Sequence, residues 1–139
     1  MKIYSNFGYK EFILCLGYKG EMIKDYVEMS KDLEDWKITT VDTGLETLTG
    51  GRLLAVKNSL ENEDVFMVTY GDGLADVDMN KLVEFHKRKD AIATVTGGHP
   101  YSKWGMIKTD SDNFVTGFWQ KPVLTDYINI GFMVCKRDI

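Results

Sequence analysis

Asp72 stands between Gly71 and Gly73 in the stretch VTYGDGLADVD (68–78), directly after an apolar run. Flanking glycines let the backbone come close to a ligand, and a carboxylate at a strand end is a common Mg²⁺ ligand beside phosphates. Glycine and aspartate also make plain turns, so on these residues alone both readings stand. Asp76 and Asp78 follow at a spacing that invites comparison with an EF-hand. Counted from Asp72, that template wants an oxygen ligand third, glycine sixth and glutamate twelfth. The chain has Leu74, Val77 and Val83 there, which excludes it. Asp76 and Asp78 read instead as the acidic start of a helix from Asn80, where the helix dipole favours negative charge.

Thr49-Gly50-Gly51-Arg52 offers a second kind of chemistry. A glycine pair ahead of a helix leaves backbone N–H groups open to an anion, and a guanidinium can grip phosphate through two parallel bonds. The spacing and the missing Lys-Ser/Thr ending exclude a P-loop; a capping turn with Thr49 as N-cap is the competing reading. Gln120-Lys121-Pro122 follows Phe118-Trp119. A lysine held by a following proline at a strand end presents a point charge to a phosphate, against the plain alternative of a surface lysine. His86 and His99 are the only histidines, and neither has a partner at metal-ligand spacing, so no zinc site is expected. His86 sits near an apolar stripe and reads as a packing residue. There is no Gly-x-Ser-x-Gly and no serine or cysteine in a nucleophile setting.

These groups need elements to hold them. Glu11–Gly17 (EFILCLG), Lys37–Val41, Val65–Tyr70 and Ala91–Thr96 read as strands. Between them lie helical patterns at Glu21–Met29, with Met22, Ile23, Tyr26 and Val27 on one side, at Thr49–Leu60, with Leu53, Val56 and Leu60 in a stripe, and at Asn80–Lys89. Alternation of this kind predicts an α/β domain with a parallel sheet flanked by helices. Beyond Pro100 the segments 106–108, 114–119 and 127–135 are strand-like, one of them available to complete the main sheet. Ligands of open α/β sheets bind outside the carboxyl ends of the strands. Gly17, Asp42-Thr43-Gly44 with Gly50-Gly51, and Gly71-Asp72-Gly73 all fall there.

The 139 residues suffice for one domain with a core, and a hydrophobic share of 44% with 27% charged is ordinary globular composition. A net charge of −4 with scattered basic residues argues against a nucleic-acid partner. No stretch approaches transmembrane length. Cys15 and Cys135 each lie inside an apolar run and read as free thiols in a reducing compartment, which places the chain in the cytoplasm.

Three phrases together are more specific than any one: VDTGLETLTGGR (41–52), VTYGDGLADVD (68–78) and FWQKP (118–122), with LCLGYKG (14–20) before them and YINIGFMV (127–134) after. In order, spacing and content they resemble the sugar-1-phosphate nucleotidylyltransferases, and among these the enzymes that join CTP to glucose 1-phosphate. The resemblance implies a Rossmann-like nucleotidyltransferase fold with a mixed, mainly parallel sheet. It implies transfer of a cytidylyl group from CTP to glucose 1-phosphate, giving CDP-glucose and pyrophosphate with Mg²⁺ as cofactor. Asp72 matches the Mg²⁺ ligand and Lys121 the lysine on the sugar phosphate. Thr49, Gly50, Gly51 and Arg52 match the segment that contacts the nucleotide, and Gly44 the loop near the base. Gly105, Gln120 and Asn129 match positions lining the sugar. Asp72, Lys121 and Arg52 together would screen the repulsion between two phosphate-bearing anions.

The chain also departs from that pattern. The family's first strand and its glycine-rich, arginine-bearing loop have no counterpart here, nor does a later metal-binding aspartate. Residues 1–139 are therefore expected to form a single partial nucleotidyltransferase domain. Without the first strand, two strand edges should lie open, favouring association with a second copy. The connection from Tyr26 to Trp36 is shorter than the family's, and Gln120 stands where glutamate is usual. A glutamine keeps the hydrogen bonds and removes the charge. The alternatives are a non-catalytic nucleotide- or sugar-phosphate-binding chain and a related transferase using another nucleotide or sugar.

Overall fold

The computed structural model describes residues 1–30, 33 and 35–139. Strand β1 (Glu11–Leu16), helix α2 (Gly20–Met29) and strand β2 (Lys37–Asp42) form a β-α-β unit, and the strands pair in parallel with Leu14 opposite Thr40 and Leu16 opposite Asp42. Helix α1 (Lys2–Ser5) precedes them. It was not foreseen, because four residues without a capping side chain leave no periodic signal. Its Tyr4 is buried and stacks on Phe132 with ring centroids 6.3 Å apart.

After β2 the chain forms α3 (Thr49–Ala55), tightens into a 3₁₀ turn over Lys57–Leu60, and enters β3 (Val65–Val68). The single helix expected over 49–60 thus breaks at Val56, where a β-branched residue is followed by Asn58 and Ser59, side chains that compete for the backbone. The expected stripe survives: Val56 is buried and Leu53 and Leu60 are half-buried. Helix α4 (Met79–Lys89) is capped by Asp78, whose Oδ1 accepts the Lys81 N–H at 3.0 Å. Those bonds to Lys81 hold the Asp78 carboxyl below its ordinary pKa. His86 is buried and shares a 2.8 Å hydrogen bond with Thr94 Oγ1, the packing role expected for it.

Strand β4 (Ala93–Gly98) follows, then β5 (Met106–Thr109) and β6 (Val115–Trp119), which form an antiparallel hairpin, and finally β7 (Ile128–Lys136). β7 completes a sheet, as the sequence allowed, and does so from the middle. The order is β3-β7-β4, and β7 runs antiparallel to both neighbours. The α/β class therefore holds, with parallel and antiparallel pairing in separate ladders; among the described residues hydrogen-bonded parallel pairing is confined to β1 and β2. β1 and β3 share no ladder, so each keeps one unpaired edge among the described residues.

The core is small. Tyr4, Met79 and Phe132 form its centre, with Phe12, Met67, Leu82 and Ile130 packed against it. Helix α2 departs from expectation: Met22, Tyr26 and Met29 of its apolar side are 65%, 67% and 80% exposed, so most of that stripe lies open among the described residues. No helix among the described residues is long and apolar enough to cross a membrane.

Phe132→Ala should therefore lower unfolding free energy by about 3–5 kcal/mol, read from urea denaturation, whereas Met22→Ala on the open side of α2 should leave it within about 0.5 kcal/mol. Acid should also act on α4. Asp78 has a lowered folded pKa, so its contribution is present above the ordinary carboxylate range and fades as pH falls below it. Asp78→Asn should flatten that part of the stability-against-pH curve.

Candidate functional site

The first group forms where β1 and β2 end. Asp42 Oδ1 accepts the Gly44 N–H at 2.9 Å, closing a turn in which Gly44 has a φ of +92°, a value that favours glycine. Thr43 is buried and donates its hydroxyl to Leu16 O at 2.8 Å. Arg52 reaches back from α3 to the same point: Nη1 donates to Leu16 O at 3.0 Å and to Thr43 Oγ1 at 2.6 Å, and Nη2 donates to Leu45 O at 3.3 Å. A side chain on Gly17 would meet that guanidinium at 3.0 Å. Gly17, Gly44 and Arg52 are thus one constellation. The guanidinium is engaged with the loop's own oxygens through Nη1 and Nη2, and Nε has no hydrogen bond among the described residues. Thr49 is the first helical residue, not the N-cap expected of it; Leu48 takes that place in extended backbone. Thr49, Gly50 and Gly51 are exposed, and nothing approaches within 4 Å of the Cβ position of Gly50.

The second group surrounds Asp72. Gly73 N–H bonds to Tyr70 O at 3.2 Å, so the residues after β3 turn sharply and lift Asp72 into solvent at the strand's carboxyl end. Nearby, β7 is irregular: its register against β4 shifts between Val95 and Gly97, and Gly131 adopts a φ of +85°. Asn129 Oδ1 accepts the Gly131 N–H at 2.8 Å. Asn129, Ile128 and Tyr127 with Val95 and Gly97 line an open cavity of about 420 Å³. Gly97 is bare because Tyr127 would lie 3.0 Å from a Cβ there, and His99 packs on the same Tyr127 ring at 4.1 Å.

The third group is at the hairpin base. Phe118 lies 2.8 Å and Gln120 Oε1 3.3 Å from where a Cβ of Gly105 would be, so Gly105 and Gln120 come together. Lys121 has a φ of +45°, uncommon for a residue with a side chain, and its ammonium is exposed. Ser102 N–H bonds to Pro122 O at 2.8 Å and Leu124 N–H to Pro100 O at 2.8 Å, which fixes the backbone just beyond it. Among the described residues, no hydrogen bond or ion pair joins Asp72 to Lys121 or to Arg52.

No group of three or more His, Cys, Asp or Glu able to cage a metal ion occurs among the described residues. Mg²⁺ is commonly held by one or two carboxylates and completed by water and substrate phosphates. Asp72, exposed and without a salt bridge among the described residues, is a carboxylate of that kind. The thiols offer no nucleophile: burial pushes Cys135 up, and it pushes Cys15 up against the opposing pull of the Arg52 charge. Tyr70, Gly97, Tyr127 and Gly131 are participants that the sequence did not single out. Gly131 had a readable signal, since a glycine inside a strand marks a bulge; the part played by Tyr70, Tyr127 and Gly97 appears only in three dimensions.

The family model described as nucleotidyl transferase matches residues 1–139. A "Probable glucose-1-phosphate cytidylyltransferase" of Bacillus subtilis is 41% identical over 158 aligned positions, covering all of this chain and 61% of the relative. The glucose-1-phosphate cytidylyltransferase of Salmonella typhi is 37% identical, covering all of this chain and 62% of the relative. The chain thus spans about three-fifths of the curated relatives' length. Because the alignments are longer than the 139 residues here, the relatives also carry insertions. In fold, the chain is similar to HddC from Yersinia pseudotuberculosis complexed with GMP-PN, with a TM-score of 0.72 and 22% identity over 99% of this chain and 61% of that one. It is also similar to an apo UDP-glucose pyrophosphorylase, with a TM-score of 0.63 and 14% identity over 94% of this chain and 61% of that one.

Arg52→Met should lower unfolding free energy by about 1.5–3 kcal/mol, because it strips donors from the buried Thr43 and from Leu16 O. Arg52→Lys should not restore it, since an ammonium lacks the planar fork. Equal urea midpoints for wild type and Arg52→Met would mean the guanidinium has no such holding role.

Proposed function

Because the chain belongs to the nucleotidyl transferase family, we propose that it is the nucleotide- and sugar-phosphate-facing part of a cytidylyltransferase acting on CTP and glucose 1-phosphate. The observation that carries this reading is an exposed Asp72 on the turn at the carboxyl end of β3, a turn whose Tyr70 ring lies against Gly131 in the bulged amino-terminal part of β7 that bears Asn129. An oxygen of the sugar phosphate forms the new bond to the α-phosphorus of CTP. The bond from that phosphorus to the β-phosphate bridge breaks, and pyrophosphate leaves with the electron pair. The attacking oxygen is already anionic, so no general base is required.

What the site must supply is charge control and orientation. Mg²⁺, held on Asp72, would offset the negative charge gathered on the phosphates. Lys121, presented by a strained backbone and fixed from behind by the Pro122 and Pro100 hydrogen bonds, is the point charge for the sugar phosphate. The exposed N–H groups of Thr49, Gly50 and Gly51 face the nucleotide, with the Gly44 turn beside its base. Gly105, Gln120 and Asn129 serve the sugar hydroxyls. Arg52 takes a different part from the one its sequence suggested: it holds the Gly44 turn in shape, and only its remaining donors are left for phosphate.

A second reading is favoured by the break between β1 and β3: the chain binds a nucleotide or sugar phosphate without turning it over. Pairing of those open edges with a second copy is part of the proposal, as is a cytoplasmic setting, which two free cysteines suit.

With CTP, glucose 1-phosphate and Mg²⁺, the purified chain should release pyrophosphate, and Asp72→Asn should cut that rate by at least about a hundredfold. Lys121→Met should raise KM for the sugar phosphate more than for CTP. Calorimetric binding of CTP with no pyrophosphate would select the second reading, and turnover with UTP, dTTP or ATP in place of CTP would reassign the nucleotide.

A further inference from the structure

Gly131 is a buried glycine inside β7, in a left-handed conformation, where the strand makes a bulge. A Cβ at this position would lie 2.6 Å from Cδ2 and 3.1 Å from Cε2 of Tyr70. Tyr70 is the first residue of the turn that carries Asp72, and its carbonyl closes that turn by accepting the Gly73 N–H. The next residue of β7, Phe132, supports the other side: its Cε2 lies 4.0 Å from the Cβ position of Gly73. The Asp72 turn therefore rests on two consecutive residues of the bulge. The same glycine donates its N–H to Asn129 Oδ1, and Asn129 lines the cavity beside Gly97.

From this geometry we infer that Gly131 is a positioning residue: it seats the Tyr70–Gly73 turn, and hence Asp72, and ties that seat to Asn129 at the cavity. It touches no reacting atom. Its contribution is the missing side chain, which lets the Tyr70 ring lie against bare backbone, together with a φ that residues other than glycine rarely adopt. A ligand drawing on the Asn129 amide would act on the acceptor of the Gly131 N–H, so the cavity and the Asp72 turn are mechanically joined through one peptide. The ligand-binding consequence rests on the reading of Asp72 as the ion-holding carboxylate; the seating itself does not.

The test uses the full chain, isotopically labelled, first without metal and then titrated with Mn²⁺ as a paramagnetic probe. Three variants are compared: Gly131→Ala, Tyr70→Ala and the double substitution. In the metal-free chain, Gly131→Ala should move the backbone amide resonances of Gly71, Asp72 and Gly73 and the side-chain amide of Asn129. The double variant should resemble Tyr70→Ala alone, because the collision partner is gone. Mn²⁺ affinity, followed by broadening at Gly71–Gly73, should fall by at least about tenfold in Gly131→Ala, as for other supports of a metal ligand. Unmoved resonances at 71–73, or strictly additive effects in the double variant, would overturn the inference. Should Gly131→Ala not fold, Tyr70→Ala decides: a shifted Gly131 amide supports the seat, and changes confined to residues 69–71 refute it. Metal-free coupling together with no Mn²⁺ binding by the wild type would uphold the seat and defeat the ion-holding reading of Asp72.

Discussion

Phe132 is 1% exposed, wedged between Tyr4 of the first helix and Met79 at the start of α4. Its burial fixes which way β7 faces, because a slip of one residue would turn the strand's core face outward. Among the described residues, β7 is also the only strand that pairs with both β3 and β4. The carboxyl end of β3, the bulge at Gly131 and the Asn129 side chain are consequently set by one aromatic ring in one place. Bulk apolar burial could hold the elements together without this ring. It could not by itself decide the register that brings the Asp72 turn onto Gly131.

Local rules carried the sequence reading far. The strands at 11–16, 37–42 and 65–68 and the helices at 20–29 and 79–89 were readable from periodicity and punctuation, within a few residues at each end. So was the Asp42-Thr43-Gly44 turn, whose Asx hydrogen bond the residue types announce. What escaped was long-range. Nothing in YINIGFMV states that its strand will lie between β3 and β4, because that choice depends on partners far away in sequence. Arg52 shows the same limit at a single residue. Beside two glycines it reads as a phosphate grip, yet in the folded chain the guanidinium turns back to Leu16 O, Thr43 Oγ1 and Leu45 O.

Charge placement separates the residues that build the site from those free to work in it. Asp78 is spent on a helix cap, and Asp90 is bound to Lys136 at the other end of α4. Asp72 and Lys121 carry no such bond among the described residues; Asp72 sits on a tight glycine turn and Lys121 on backbone of positive φ. A charge held on fixed backbone and not neutralised from within is free to meet a ligand's charge or a cation. The roles proposed for these two residues come from resemblance.

The two halves of the candidate site are held to each other by a different kind of force from the one that builds each half. Arg52, Gly44 and Thr49 belong to the β1-β2-α3 unit, whereas Asp72 and Asn129 belong to the β3-β7-β4 sheet. No ladder crosses between β1 and β3. Links among the described residues include Phe12 against the Tyr4–Met79–Phe132 cluster and the Tyr9 hydroxyl donating to Asn80 Oδ1 at 3.0 Å. Ladders fix strand spacing near 4.8 Å through directional bonds, whereas apolar packing is non-directional and tolerates sliding. The nucleotide-facing group and the Asp72 turn can therefore each be well formed while their separation is less firmly set. In-line phosphoryl chemistry is sensitive to displacements of about 1 Å. Turnover should thus be the first property to suffer from a loose junction, and ligand binding within either half the last.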